Sequence, residues 1–414
     1  MNKQSVIENL ALDLNGSDLN FFKKERQYGS ELLDSIGLPS TKDEYWKYTR
    51  LNKVFKKEYN AHSEQGSQKA REAFSEQLIR IVDGKWQSDA IDTDSFKVLA
   101  LDKAITHRAF KDNFSKVRSE RAEFLDAINH KNFQYGFYIW VAKGVDAGEL
   151  EIQEFFNTSN KHYPQRYLIH LEEGAKLNLI QRQEAKLSNQ FVNSLAEVQV
   201  AKDAILKLSL VQEYGSDSNA VSTIYAEQGD KSIFDILTAS LSGELIRNNL
   251  NIAVKGEFAE THLNGISVGR NEEHIDHHTI VDHLVPNCNS FENYKGIFYD
   301  KSKGVFNGKV FVRPDAQKTN AFQSNQNIVM SDDAKVYSKP ELEIYADDVK
   351  CSHGSTTGQF DEEAVFYLQS RGIGIKKAKA MLVQAFLEEV SSKVENENLR
   401  AYLEGFIDNK LADQ

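Results

Sequence analysis

The sequence predicts a mainly β protein, with a parallel β-solenoid core between an α-rich N-terminal segment and a short helical C-terminal one. Three observations carry this. Short β-rich runs recur through the middle of the chain, where helical periodicity is almost absent. Tight hairpin dipeptides are scarce there. Both ends place apolar residues at helical spacing.

In the first segment, residues 1–134, Ile7, Leu10 and Leu14, then Leu32, Leu33 and Ile36, fall at helical spacing. Gly37-Leu38-Pro39 stops the second of these helices. Residues 119–128 read as a further helix, with Ser119 as its N-cap and Glu120 in its first turn.

The middle segment, residues 135–354, carries β-rich runs at 137–141, 166–171, 176–181, 204–211, 232–239, 244–254, 262–268, 278–283, 309–312, 335–337 and 342–345. Turn-forming pieces separate several of them: Glu173-Gly174, Gly215-Ser216-Asp217, Gly229-Asp230, Gly256, Gly304 and Asn307-Gly308. A sandwich or barrel would join its strands by Asn-Gly or Asp-Gly hairpins, and only Asn307-Gly308 and Asp83-Gly84 fit, the second outside this segment. The runs are also very short, as in stacked coils that bury their apolar faces on one another. A solenoid is therefore preferred, although no strict repeat is visible.

The last segment, residues 355–414, is helical. Phe360, Ala364 and Leu368 repeat every four residues, and Gly372 suits a left-handed cap. Two further amphipathic stretches contain Ile375, Ala378, Leu382, Ala385, Phe386, Leu387 and Val390, then Leu399, Tyr402, Leu403, Phe406 and Ile407. Such a tail either docks a partner or packs on the β body.

Composition narrows the function. The chain has 414 residues and a formal net charge of −11, against the basic footprint a nucleic-acid-coating protein needs. Its polar start lacks a signal-peptide core, and no apolar run reaches the ~20 residues of a membrane span. A cytoplasmic location without membrane contact is expected. Two cysteines, Cys288 and Cys351, exclude a disulfide scaffold and a four-cysteine zinc or iron–sulfur site held by this chain alone.

Two clusters invite a metal reading. Residues 274–283, HIDHHTIVDH, hold four histidines and two aspartates. In a strand His277 and His283 would share one face about 20 Å apart, at ~3.3 Å per residue, and His278 would point the other way. These histidines read as structural. Cys351-Ser352-His353-Gly354 puts a thiol and an imidazole at i and i+2 on one side of an extended chain, a pair that suits zinc, iron or copper. Two ligands leave a tetrahedral site half empty, and on spacing alone the pair reads as a small buried Cys beside a surface His. No GxxxxGK[ST], GxGxxG, GxSxG or HExxH motif is present, and no carboxylate pair stands out as a general acid and base, so no catalytic residue is assigned.

The stretch 339–354, KPELEIYADDVKCSHG, closely resembles the SufD branch of the SufB/SufD family, subunits of the SufBCD iron–sulfur cluster assembly complex. The likeness continues through Gly358-Gln359-Phe360-Asp361-Glu362-Glu363 and Phe366-Tyr367-Leu368-Gln369-Ser370-Arg371-Gly372-Ile373. Upstream, residues 305–312, VFNGKVFV, and residues 317–327 resemble later coils of the family's β-helix. Gly37-Leu38-Pro39 and residues 43–49, DEYWKYT, resemble its opening motif. The Cys-Ser-His-Gly sequence sets the chain apart from the SufB branch.

The resemblance implies a right-handed parallel β-helix and a non-enzymatic scaffold. It implies pairing with SufB through the β-helix, with a homodimer open to the isolated subunit, and docking of the SufC ATPase, which binds ATP, on the C-terminal helices. At the level of the complex it implies reduced flavin (FADH2), iron and a nascent cluster for transfer to acceptors. Carried over by position, His353 and then Cys351 are the metal-related residues at the SufB interface. Phe366, Tyr367, Arg371 and Gly372 fall in the SufC-docking region, and no residue is assigned to flavin. Two other classes compete. One is a secreted β-helix enzyme acting on acidic polysaccharide. The other is an independent metal-binding protein using His274, His277, His278 and His283.

Overall fold

The computed structural model describes residues 2–12, 19–59, 63–66, 71–118, 123–359 and 361–412. Leu14, Ser119, Glu120 and Phe360, invoked above, lie outside them.

Helices α1 (Lys3–Asn9), α2 (Leu19–Ser35) and α3 (Asn52–Lys56) come first. Strands β1 (Gln77–Val82), β2 (Lys85–Trp86), β3 (Ile91–Asp92) and β4 (Phe96–Ala100) follow, then α4 (Leu101–Ala104), α5 (Arg108–Asn113) and α6 (Phe124–Asn132). The body is an unbroken strand series: β5 (Tyr135–Val141), β6 (Asp146–Phe155), β7 (Lys161–Leu171), β8 (Lys176–Ala185), β9 (Gln190–Val200), β10 (Ile205–Tyr214), β11 (Asn219–Gln228) and β12 (Ile233–Ser242). It continues with β13 (Leu245–Val254), β14 (Glu260–Gly269), β15 (His274–His283), β16 (Asn289–Phe298), β17 (Lys303–Val312), β18 (Asn320–Val329), β19 (Lys335–Ile344) and β20 (Lys350–Gly358). Helices α7 (Glu362–Ser370), α8 (Ile375–Ser391) and α9 (Glu397–Ala412) close the chain. None of the described helices is long and apolar enough to cross a membrane.

From β5 onward, even-numbered strands build one parallel sheet and odd-numbered strands a second, in a solenoid of about eight turns. The β body starts within the first segment, since β1 pairs in parallel with β6 and β4 runs antiparallel to β5. It also runs past Gly354, to the end of β20 at Gly358. Asp83 and Gly84 both take positive φ, 48° and 77°, and turn β1 into the antiparallel β2, the hairpin that Asp-Gly signals.

Two expectations need correction. The strands are not very short: most run ten residues, and the runs at 335–337 and 342–345 are the two ends of the single strand β19, which stops at Ile344. Six strands, β6, β9, β11, β16, β18 and β20, lack an obvious apolar run because parts of the interior are polar. Ser194 on β9 bonds Ser222 on β11 at 2.9 Å, and Gln323 on β18 bonds Glu292 on β16 at 3.0 Å. Gly304, Asn307 and Gly308 are no turn: they lie within β17. Asn160, Asn189, Asp203, Asn271, Asn287 and Asp300 make several of the real turns, each left-handed, with φ of 51–64°. Short polar side chains tolerate that conformation, so the turns need little glycine.

The two sheets are covered differently. Phe191, Val221 and Leu245 on the outer face of the odd sheet pack beneath α1, α3 and α6 through Val6, Leu10, Val54, Phe55, Phe124 and Ile128. On the even sheet, α8 and α9 lay Val383, Leu387, Val390, Leu399, Leu403 and Ile407 onto Ile180, Val211, Leu237, Ile266 and Ile297. Each fully buried aliphatic side chain contributes about 1.5–3 kcal/mol. Most of the C-terminal apolar residues therefore fasten α8 and α9 to the solenoid. Between the sheets, the register stacks Leu150, Leu179, Leu208, Ile236 and Leu263, then Glu292, Gln323 and His353. This one column is apolar in its first coils and polar in its last.

Candidate functional site

β19 and β20 are the terminal strands of their sheets, so among the described residues each presents an unpaired outer edge at the same end of the solenoid. Cys351 pairs with the inward Ala321 of β18, and His353 pairs with Gln323. The i, i+2 spacing thus puts both side chains on the interior side of the last coil. Cys351 is half-buried against the core, whereas His353 is exposed. Burial pushes the Cys351 thiol up, and the Ala321 backbone N–H opposes that shift. Cys288, by contrast, is fully buried and donates to Gly256 O at 3.2 Å.

Polar groups line this end. Ser355 Oγ on β20 donates to Ser338 Oγ on β19 at 2.7 Å, joining the two edge strands across the interior. Ser338 Oγ in turn donates to Asn325 Oδ1 at 2.7 Å. The sequence reading missed Ser338 and Ser355, whose only signal is that they flank the KPELEIYADDVKCSHG stretch.

The opening motif folds against the same coils. Tyr48 stacks on Tyr337 of β19 at 4.4 Å, and Glu44 pairs with Lys339. Trp46 lies under the Arg247 guanidinium at 3.8 Å, and Arg247 reaches Asp276 at 2.9 Å. Thr49 hydrogen-bonds Asp276 as well. Burial alone would raise the Asp276 carboxyl; His278 and Arg247 beside it hold it well below the usual range.

That contact explains part of the histidine cluster. On β15, His278 lies outward with Asp276 at 3.0 Å, and His274 meets Thr49 at 3.0 Å. His277 and His283 lie inward, bonded to Ser267 and Ser290 at 2.9 Å each. Burial pushes His274, His277 and His283 down to about 4, so all three are neutral at physiological pH. Among the described residues, no three His, Cys, Asp or Glu side chains converge in ligating geometry.

α7 stands apart from the covered helices. Asp361 caps its first turn, accepting from the Glu363 and Ala364 N–H groups at 3.0 Å. It ends as a Schellman motif: the Gly372 N–H reaches Gln369 O, the Ile373 N–H reaches Leu368 O, and Gly372 takes φ 85°. Val365 is buried, yet Phe366 is 72% and Tyr367 57% exposed. Arg371 donates to Tyr367 Oη at 3.0 Å, holding that ring outward, and Ile375 and Met381 extend the exposed apolar surface onto α8.

Comparison with known proteins agrees with this architecture. The family model "SUF system FeS cluster assembly, SufBD core domain" matches residues 155–386, and "SufBD protein N-terminal region" matches residues 8–153. The iron–sulfur cluster assembly protein SufD of Escherichia coli K12 is 30% identical, over 93% of this chain and 92% of its own. A SufBD family protein of Synechocystis is 26% identical over 94% of this chain and 91% of its own. A chloroplastic protein of Arabidopsis thaliana, ABCI7, is 33% identical over 57% of this chain and 50% of its own.

Proposed function

Because the chain belongs to the SufBD family of iron–sulfur cluster assembly proteins, we propose that it is the scaffold subunit of a heteromeric assembly complex. One observation carries the reading: Cys351 and His353 sit together on the interior side of the coil whose two strands leave their outer edges unpaired. Long unpaired edges are templates for strand addition from another chain. A SufB-type subunit docking there covers the open end and sets its own side chains against the imidazole and the thiol. Iron, or a nascent cluster, is the cargo of that shared site. Two ligands from this chain leave coordination positions for the partner, which suits a site that must also release what it holds.

The exposed face of α7, with Phe366, Tyr367, Arg371 and Gly372, is the docking surface for a SufC-type ATPase. Aromatic and arginine side chains in a small patch are the usual anchors of such interfaces. ATP binds to that partner. Reduced flavin supplies electrons to the complex and is assigned to no residue here. The work is cytoplasmic, and the chain itself is not an enzyme.

Co-expression with SufB- and SufC-type subunits and purification through a tag on this chain tests the reading. Both partners should be retained; loss of both would sink it.

A further inference from the structure

The column that holds His353 continues inward to two buried polar side chains. Glu292 on β16, Gln323 on β18 and His353 on β20 are register partners on successive coils. Glu292 accepts from Thr279 Oγ1 of the facing sheet at 2.5 Å and from Gln323 Nε2 at 3.0 Å. The second bond fixes the Gln323 amide. Gly308 on the facing sheet leaves it room, since a Cβ there would lie 3.0 Å from Gln323 Nε2. Gln323 is 4% exposed, and its Oε1 is buried without a hydrogen-bond partner among the described residues.

An unsatisfied buried acceptor costs about 1–3 kcal/mol, so a donor should be found close by. The next coil stands ~4.8 Å away and holds His353 in register with Gln323. A neutral imidazole offers one N–H and one bare nitrogen, and whichever partner takes the N–H decides which nitrogen is left for a metal.

We propose that Gln323 is a positioning residue for His353. Its Oε1 accepts the imidazole N–H when the ring turns inward, so that the bare nitrogen faces the open end. The inference rests on the reading of His353 as an iron ligand. Glu292 and Thr279 act behind it, by holding the amide in place.

Nitrogen-15 NMR of the full-length chain labelled at histidine tests this, with the His353 signals assigned by their loss in His353→Gln. The expected result is a single neutral tautomer of His353 in the wild type and a free-imidazole mixture in Gln323→Leu. Thr279→Val, which removes one of the two bonds to Glu292 but leaves the Gln323 acceptor, should loosen the tautomer preference less than Gln323→Leu does. In the co-expressed complex, Gln323→Leu should lower cluster assembly about tenfold, the scale of losing a group that orients a ligand. A mixed tautomer in the wild type overturns the proposal, and that measurement stands even if Gln323→Leu fails to fold. Should His353→Ala leave assembly unchanged while the tautomer still depends on Gln323, the iron reading fails and the positioning geometry survives.

Discussion

Cys351 and Cys288 share a functional group and differ in surroundings. Cys288 is sealed in the core, whereas Cys351 is half-buried at the open end beside the exposed His353. His353→Ala removes no buried contact, so it should leave folding and subunit pairing intact while lowering cluster assembly at least about tenfold. Iron–sulfur absorbance of the purified complex measures that. The interior histidines predict a different effect. His277 is neutral in the folded chain down to about 4 but titrates near 6.5 when unfolded. Between those values the unfolded chain binds more protons, so this contribution is present above pH 6.5 and is lost as pH falls toward 4. Denaturant titrations of His277→Gln should show a shallower acid dependence than the wild type, by up to about 3 kcal/mol across that window. The i, i+2 geometry of Cys351 and His353, and the split of His277 from His278, were legible in the sequence. The Ser338–Ser355 contact was not, because it joins two strands whose register is set by the whole stack.

At the scale of elements, the C-terminal helices divide the labour. α8 and α9 follow their apolar periodicity onto the even sheet. Leu403→Ala, at a fully buried position, should cost about 2–5 kcal/mol, read from the unfolding midpoint. α7 spends its aromatic residues on solvent, so Phe366→Ala should barely change stability. It should instead weaken retention of the SufC-type ATPase by about tenfold or more while the SufB-type subunit stays bound, as quantitative pull-down would show. The helices and the Gly372 cap could be read in advance because 3.6-residue periodicity and left-handed glycine are local signals. Half-polar strands such as β16 and β18 could not. Glu292, Gln323 and Asn325 face inward there and bond between coils, so the apolar alternation that marks a strand is missing.

Across the whole molecule, the solenoid has two unlike ends. Its first coils continue into β1–β4, whereas its last coil carries His353, Ser338 and Ser355 on its interior side and, among the described residues, has no strand on either outer edge. The opening motif crosses from residue 44 to Lys339, and from Tyr48 to Tyr337, to brace that bare end. The sequence carried both stretches as separate resemblances; only the fold brings them together. The central claim is that this end closes on a partner around Cys351. Maleimide labelling of Cys351, with sealed Cys288 as internal control, tests it most directly. Cys351 should label in the isolated, dilute chain and be protected once the SufB-type subunit is bound; equal labelling in both states would contradict the account.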